Sequence, residues 1–317
     1  MESENRKTIL FALAANLFIA VAKLVGGVLS GSSALLAEAA HSTADCLNQI
    51  FLLVSLSLGK RRPDEAHPFG HGKERFFWAL MAAVMIFVGG AIFSIAQGAL
   101  VLRGGHVEHD LRAGFVVLAL ALVAESVALG RAVRQMRRQA VDAHKPVARY
   151  VRESRDPTVK VVLAEDSAAV AGVLVALTGL TLVRITHDAV WDGLASIVIG
   201  LLLAFVAYAI GRDAKRLLIG EAATAEDRRA IERALSAHPS VLSVSELLTM
   251  QVGPEDILVA ARLELVDDLS TSSVERVMDD LQRDVRGAVR TVQQVFIDPT
   301  PTRDDRAAPV AVAATSR

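Results

Sequence analysis

The sequence predicts a membrane protein with an all-α transmembrane domain of six helices and a small α/β domain at its C-terminal end. Three observations predict this architecture. The mean hydropathy of +0.40 is high for a soluble chain. Six apolar runs are each long enough, at about 20 residues, to cross a bilayer as a helix. After residue 220 the composition turns polar, with short periodic segments typical of a soluble domain.

The six apolar runs are the candidate membrane spans, numbered one to six in chain order. Only Gly31, Ser32 and Ser33 separate the first two, which predicts an antiparallel helical hairpin. The first run is too long for the core of a signal peptide, so we expect it to be a retained span. The predicted spans cover residues 8–30, 34–58, 76–102, 111–132, 158–183 and 189–210.

The basic residues are distributed unequally between the predicted loops. The side that would be extracytoplasmic carries only Arg103, Arg112 and Arg184. Because short loops rich in Lys and Arg stay in the cytosol, both termini are expected there, in a bacterial cytoplasmic membrane. The net charge of −1 gives no overall field to attract nucleic acid. The loops assigned to the cytosol contain Arg6, Lys7, Lys60, Arg61, Arg62, Lys73, Arg75, Arg131, Arg134, Arg137, Arg138, Lys145, Arg149, Arg152, Arg155, Lys160, Arg212, Lys215 and Arg216.

Residues 221–300 read as a soluble domain in the order α-β-β-α-β, a ferredoxin-like two-layer arrangement. So small a domain buries little surface, and dimerisation would add to its stability. Residues 1–220 would form the transmembrane domain. Residues 301–317 are polar and rich in Ala and Pro, which predicts a disordered tail. The predicted elements are a helix over 224–237, strands over 241–252 and 257–266, a helix over 270–285 and a strand over 289–297.

Span two carries Glu38, His41 and Asp45 on one helical face, since their spacing is i, i+3 and i+7. An ionisable side chain in mid-bilayer costs about 2.5–3.5 kcal/mol on insertion scales, so it usually faces a cavity or a partner. An imidazole and a carboxylate four residues apart can hold one small cation together. The alternative is a polar group that hydrogen-bonds neighbouring helices.

Span five carries two adjacent carboxylates, Glu165 and Asp166. Adjacent positions on a helix point about 100° apart, so we expect only one to share a cavity with span two. Asp166 is the expected one, with Glu165 turned to another helix or to a basic residue. A tetrahedral site of nitrogen and oxygen ligands suits zinc, and its fourth ligand would be Glu38, Glu165 or water.

Other polar groups leave more than one role open. Glu125 in span four and Asp192 in span six suit a route-lining or a helix-packing role equally. Between spans two and three, Asp64, His67 and His71 have the spacing of a second metal site at the cytosolic surface. The same segment also suits a basic loop that lies on lipid headgroups.

Two motifs in this sequence resemble the cation diffusion facilitators, the zinc-transporter family of six-span metal exporters. One is Ala-Glu-Ala-Ala-His-Ser-Thr-Ala-Asp over residues 37–45. The other is Asp-Glu-Ala-His-Pro-Phe-Gly-His-Gly-Lys over residues 64–73. Residues 155–170 are similar to the branch that includes animal zinc transporter nine and its bacterial relatives.

The resemblance implies a homodimer that exchanges a divalent metal against protons, with a metallochaperone-like cytosolic domain. It implies a core transport site made by spans two and five, with His41, Asp45 and Asp166 as ligands. It also implies a loop site at Asp64, His67 and His71.

The sequence departs from the family pattern in span five, where Val162 stands in place of the usual histidine. An oxygen-rich site favours harder ions such as manganese, with cobalt and iron(II) between, so zinc is the first expectation and these are the alternatives. The C-terminal domain also lacks the histidines of the family's regulatory zinc pair. A non-transporting membrane scaffold or metal sensor is a rival hypothesis. A metal-dependent hydrolase is disfavoured because no His-Glu-x-x-His run is present.

Overall fold

The fold divides at Gly220. The computed structural model describes residues 2–104, 111–142, 144, 146–153, 157–267 and 269–299. One compact unit ends at Ile219 and a second begins at Gly220. The disordered tail predicted over 301–317 lies outside the described residues.

The first unit consists of helices. Each predicted span falls within one of its long helices to within a residue, and the helices extend further into the flanking segments. The third span contains a π-helical segment that includes the pair Gly89 and Gly90. The elements are α1 (Glu2–Ser30), α2 (Ser33–Leu58), α3 (Glu74–Met85), the π-helical segment (Ile86–Ile92), α4 (Phe93–Gly104), α5 (Leu111–Asp142), α6 (Val147–Glu153), α7 (Pro157–Thr186) and α8 (Val190–Ile219).

Four helices in the described residues are long and apolar enough to cross a membrane: Glu74–Gly104, Leu111–Asp142, Lys160–Thr186 and Val190–Ile219. A shorter apolar helix covers Asn16–Ser30. The predicted membrane all-α class is thereby confirmed, with four to five apolar helices rather than six. Helix α2 has the length of a span at 26 residues. It falls outside this group because its face of polar and ionisable side chains lowers its hydropathy.

Helices α4 and α8 approach each other closely through glycines. A Cβ atom at Gly98 would collide with the Gly193 carbonyl oxygen, at 2.5 Å. Small residues allow such backbone contact between membrane helices, where lipid provides no hydrophobic drive for association. The apolar core of the unit is built around side chains that are fully buried, including Leu118, Leu180 and Ile199.

Asp192, at the start of α8, caps the start of α2. Its carboxylate accepts hydrogen bonds from the Ser32 hydroxyl, at 2.6 Å, and from the backbone N–H groups of Ser33 and Ala34. The first N–H groups of a helix have no partner inside the helix, and a buried carboxylate satisfies both them and the helix dipole. Asp192 therefore fixes the end of α2 against α8, which resolves its open role in favour of helix packing.

The second unit has the predicted order of elements. These are α9 (Ala225–Ser236), β1 (Val241–Gly253), β2 (Asp256–Leu265), α10 (Thr271–Ala288) and β3 (Val292–Asp298). The sheet order is β1-β2-β3, with β1 antiparallel and β3 parallel to the central β2. Its core contains Ile231 and Leu235 of α9, Leu263 of β2 and Leu281 of α10. The α/β class of this domain is confirmed.

Replacing Asp192 by alanine should lower the stability of the membrane unit. The change leaves buried N–H groups of α2 without acceptors, at a cost of about 2–3 kcal/mol. The measurement is the thermal unfolding of the purified protein in detergent. The matched control is Asp188→Ala, because Asp188 is exposed and caps Val190 of α8 through one hydrogen bond of 2.9 Å. Equal losses in the two variants would contradict the capping role.

Candidate metal centre

A polar cavity of about 60 Å³ lies between α1, α2, α5 and α7. Its size suits one cation with a water molecule or two, and it is far below the roughly 300 Å³ of sites for organic ligands. Four carboxylates are among its lining residues. The full lining consists of Asn16, Ile19, Ser42, Asp45, Gln49, Leu52, Glu125, Ala128, Val162, Glu165 and Asp166.

Several oxygen atoms of these lining residues are buried without a hydrogen-bond partner. Within the described residues they are Asp45 Oδ1, Gln49 Oε1 and Glu165 Oε1. Buried acceptors in folded proteins are nearly always paired. A group of unpaired oxygens around one small cavity is the arrangement that a cation completes.

His41 and Asp45 lie one turn apart on α2, as the sequence predicts. His41 Nδ1 is 3.5 Å from Asp45 Oδ1. The imidazole is almost fully buried, and in the described part of the chain neither ring nitrogen has a hydrogen-bond partner. A ring nitrogen left free beside a carboxylate is available as a metal ligand.

Glu165 and Asp166 both line the cavity, so the expectation that only one of them would share it with α2 is wrong. The 100° between adjacent side chains is no obstacle, because α1, α2 and α5 all face α7 across the cavity and so bound it on more than one side. Glu165 also accepts a short hydrogen bond from the Asn48 amide of α2. This bond joins the two helices that carry the predicted ligands.

Glu38 has a different environment from the other residues predicted for the core site. Its Oε2 atom is 3.0 Å from Lys23 Nζ, and both side chains are fully buried. Neither Glu38 nor His41 is among the residues that line the cavity. His41 lies beside the lining residue Asp45, however, whereas Glu38 is bonded to Lys23. The geometry therefore places Glu38 in an ion pair and leaves Glu165 as the nearer candidate for the fourth ligand.

Two lining residues are not predicted as ligands from the sequence: Gln49 has no predicted role, and the role of Glu125 is open, yet both line the cavity. Gln49 follows Asp45 by four residues, so helical periodicity extended by one turn would have found it. Glu125 was detectable only as an ionisable residue in an apolar run. Which side of α5 faces the ligands depends on how the helices pack, and one helix alone does not contain that information.

The loop triad between α2 and α3 forms a tight cluster at the protein surface. Asp64 Oδ2 is 3.0 Å from His71 Nε2, and Asp64 Oδ1 is 3.2 Å from His67 Nδ1. Among the residues that the structure describes, this is the one group of three possible ligands whose atoms all lie within 4.8 Å of one another. Tetrahedral zinc holds its ligand atoms roughly 3.4 Å apart, given bonds of about 2.1 Å, so the triad has nearly the required spacing.

Backbone geometry brings the triad together. The His67 N–H donates to Asp64 Oδ1 at 2.7 Å, and Gly70 adopts a φ of +81°, a left-handed conformation that glycine enters without strain. The hydrogen bond to His71 and then the backbone N–H of His67 lower the pKa of Asp64 from 3.8 to about 2. Asp64 is therefore an ionised acceptor at neutral pH, as a metal ligand must be.

The helical unit and its buried polar cavity define a multi-pass membrane protein with a cation-sized site. Comparison with known proteins identifies its family. The cation efflux transmembrane domain matches residues 9–219, and the chain belongs to this family of membrane transporters.

Three relatives illustrate the similarity, and each aligns with most of this chain. Metal tolerance protein C4 of Arabidopsis thaliana is 30% identical over 83% of this chain and 58% of its own length. The mitochondrial proton-coupled zinc antiporter SLC30A9 of Homo sapiens is 30% identical over 84% of this chain and 47% of its own length. The chain thus spans about half the length of these relatives. The manganese efflux system protein MneP of Bacillus subtilis is 22% identical, over 95% of this chain and 97% of its own length.

Solved structures of the MamM C-terminal domain match a smaller part of the chain. One covers 24% of this chain and 92% of its own, with 19% identity and a TM-score of 0.23.

Replacing His71 by alanine should raise the pKa of Asp64 from about 2 towards its ordinary value of 3.8, because the His71 hydrogen bond is the largest cause of the shift. The hydrogen bond between Asp64 and His71 favours the ionised form of Asp64. Its contribution to stability is therefore fully present above pH 3.8 and is lost as the pH falls through about 2. Carboxyl-carbon NMR of aspartate-labelled protein measures the titration. Glu65→Gln, which alters the neighbouring carboxylate, is the control, and an unchanged Asp64 titration in His71→Ala would contradict the assignment.

Proposed function

We propose that this protein is a proton-coupled antiporter that exports divalent metal cations from the cytosol, with zinc as the first candidate. The observation that carries the proposal is the cavity of unpaired carboxylate oxygens shared by α2 and α7. The family membership supports metal transport. The name of the human relative, a proton-coupled zinc antiporter, supports both the metal and the counter-ion.

The core site in this proposal consists of His41, Asp45, Glu165 and Asp166. An uncompensated carboxylate is costly to bury, so the cluster holds either protons or a metal cation. Metal ligands must be deprotonated, and binding therefore releases protons. Protons from the far side then displace the metal as the helices rock around the cavity.

The loop triad is the second metal site of the proposal. The excess of Lys and Arg in the neighbouring loops supports a cytosolic position for Asp64, His67 and His71, and for both termini. A bacterial cytoplasmic membrane is the proposed location. The exposed triad would capture the metal before it enters the membrane, since His67 is 57% exposed and open to exchange.

We further propose a homodimer, with the second unit contributing to the interface. The small three-stranded domain has a limited core. It also exposes large apolar side chains, including Leu242 and Leu248 of β1, that a second copy would cover.

A preference for manganese, cobalt or iron(II) is the alternative within the same function. Val162 lines the cavity where the family usually has a histidine, so oxygen ligands predominate. Oxygen ligands suit harder cations than zinc. The name of the Bacillus subtilis relative, a manganese efflux protein, is consistent with this alternative.

The test of the function is metal uptake into proteoliposomes under an imposed pH gradient, with zinc, manganese, cobalt and iron(II) compared side by side. Asp45→Ala should abolish uptake because it removes a ligand common to every proposed binding geometry. Asp280→Ala is the matched control, since Asp280 pairs with Arg283 on the exposed surface of α10. Normal uptake by folded Asp45→Ala protein would contradict the proposed site.

Replacing Val162 by histidine should shift the metal preference towards zinc. The added nitrogen ligand should raise the ratio of zinc to manganese uptake by about tenfold, because imidazole favours zinc over harder ions. Val162→Leu is the control that adds volume without a ligand. A ratio unchanged by the histidine, in protein that still transports, would mean that position 162 does not reach the cation.

A further inference from the structure

Lys23 of α1 is a fully buried lysine in the membrane unit. Its ammonium group donates to Glu38 Oε2 at 3.0 Å, to Ser42 Oγ at 2.8 Å and to Glu125 Oε1 at 3.2 Å. These bonds satisfy all three of its donors. Lys23 thus joins α1 to α2 and α5 at one point.

Glu125 belongs to two groups at once. It is a partner of Lys23, and it also lines the cavity together with Asp45, Glu165 and Asp166. Glu38, the other carboxylate on Lys23, does not line the cavity. A carboxylate has two oxygen atoms, so Glu125 can bond to Lys23 through one of them while the other is available to the cavity.

The charges around the cavity indicate what Glu125 can do from its position between Lys23 and the cavity. The cavity has four carboxylates in its lining, and Lys23 brings a positive charge to this group through its ion pair with Glu125. A divalent cation placed among them offers more charge than the lysine does. An oxygen ligand from α5 would also replace the ligand that Val162 fails to supply.

We propose that Glu125 is a direct ligand of the transported cation, a ligand from α5 that is held on Lys23 while the site is empty. On binding, Glu125 moves from the lysine towards the metal. The site then takes ligands from α2, α5 and α7 and is dominated by oxygen. This inference rests on the proposed function and assigns a further ligand to its core site.

The matched comparison is between Glu125→Gln and Glu38→Gln. Each change removes one carboxylate from Lys23 and retains the shape of the side chain. Only Glu125→Gln removes a carboxylate from the cavity. A structural role through Lys23 predicts the same behaviour for both variants, and a ligand role predicts that they differ.

The measurement is binding of manganese(II) to the full-length protein in nanodiscs, with free manganese counted by its EPR signal. All variants carry His67→Ala and His71→Ala so that the loop triad contributes no binding. Asp45→Ala, added to the two histidine substitutions, gives the EPR signal of free manganese that is expected when the core site does not bind. Competition by zinc(II) gives the preference between the two metals.

We expect Glu125→Gln to weaken manganese binding by at least about tenfold, since even the loss of an outer partner of a metal ligand costs roughly 10–100-fold. The loss for zinc should be smaller, and Glu38→Gln should have the smaller effect on both metals. Equal losses in the two variants would overturn the proposal. So would undiminished binding by Glu125→Gln while Asp45→Ala still abolishes it, and that result leaves the proposed function intact. Absence of core binding in the parent protein would overturn both.

The triple variant Lys23→Met/Glu38→Gln/Glu125→Gln covers the case in which Glu125→Gln alone does not fold. It removes the charge from Lys23 and from both of its carboxylate partners, and so leaves none of the three as an unpaired buried charge. Weak manganese binding by this folded variant supports the ligand role. Recovery of parental binding would mean that Glu125 acts only through Lys23, and would overturn the proposal.

Discussion

The requirement that every buried charge have a partner governs the membrane unit. Lys23 satisfies it with Glu38, Ser42 and Glu125, and Asp192 satisfies it with the first N–H groups of α2. In a low-dielectric interior, unpaired groups of this kind cost several kcal/mol each, which the packing of small apolar side chains does not easily offset. The helices are therefore held in the arrangement that pairs their polar groups, and the oxygen atoms left over line the proposed cation site.

Helix α2 is the element on which most of these bonds converge. Its beginning is capped by Asp192 of α8, its middle is bonded through Glu38 to Lys23 of α1, and Asn48 further along bonds Glu165 of α7. His41 and Asp45 lie between these attachments. The two proposed cation ligands are thus held from both sides along the helix, which is the preorganisation that a geometrically selective site requires.

The periodicity of the sequence predicts features that depend on a single helix. It does not predict features that depend on how two helices pack. Apolar length gave the helices, and the i, i+3, i+7 spacing placed Glu38, His41 and Asp45 on one face. The same spacing did not show that Glu165 shares the cavity with Asp166, because that depends on contacts between helices. The loop triad was predictable in full, since its three residues lie within eight positions and a turn at Gly70 brings them together.

The loop triad and the cavity between the helices differ in the ligand atoms that they offer to a cation. The loop triad lies at the surface and offers two imidazoles with one carboxylate, while the cavity lies between helices and offers mainly carboxylate oxygens. Imidazole ligands favour zinc, whereas carboxylate oxygens favour harder ions such as manganese. In the proposed function, a cation that passes from the loop to the cavity exchanges nitrogen for oxygen ligands and loses water. On this proposal, selection occurs at the cavity, where the fit of the carboxylates to the ion and the cost of removing its water both depend on the size of the ion.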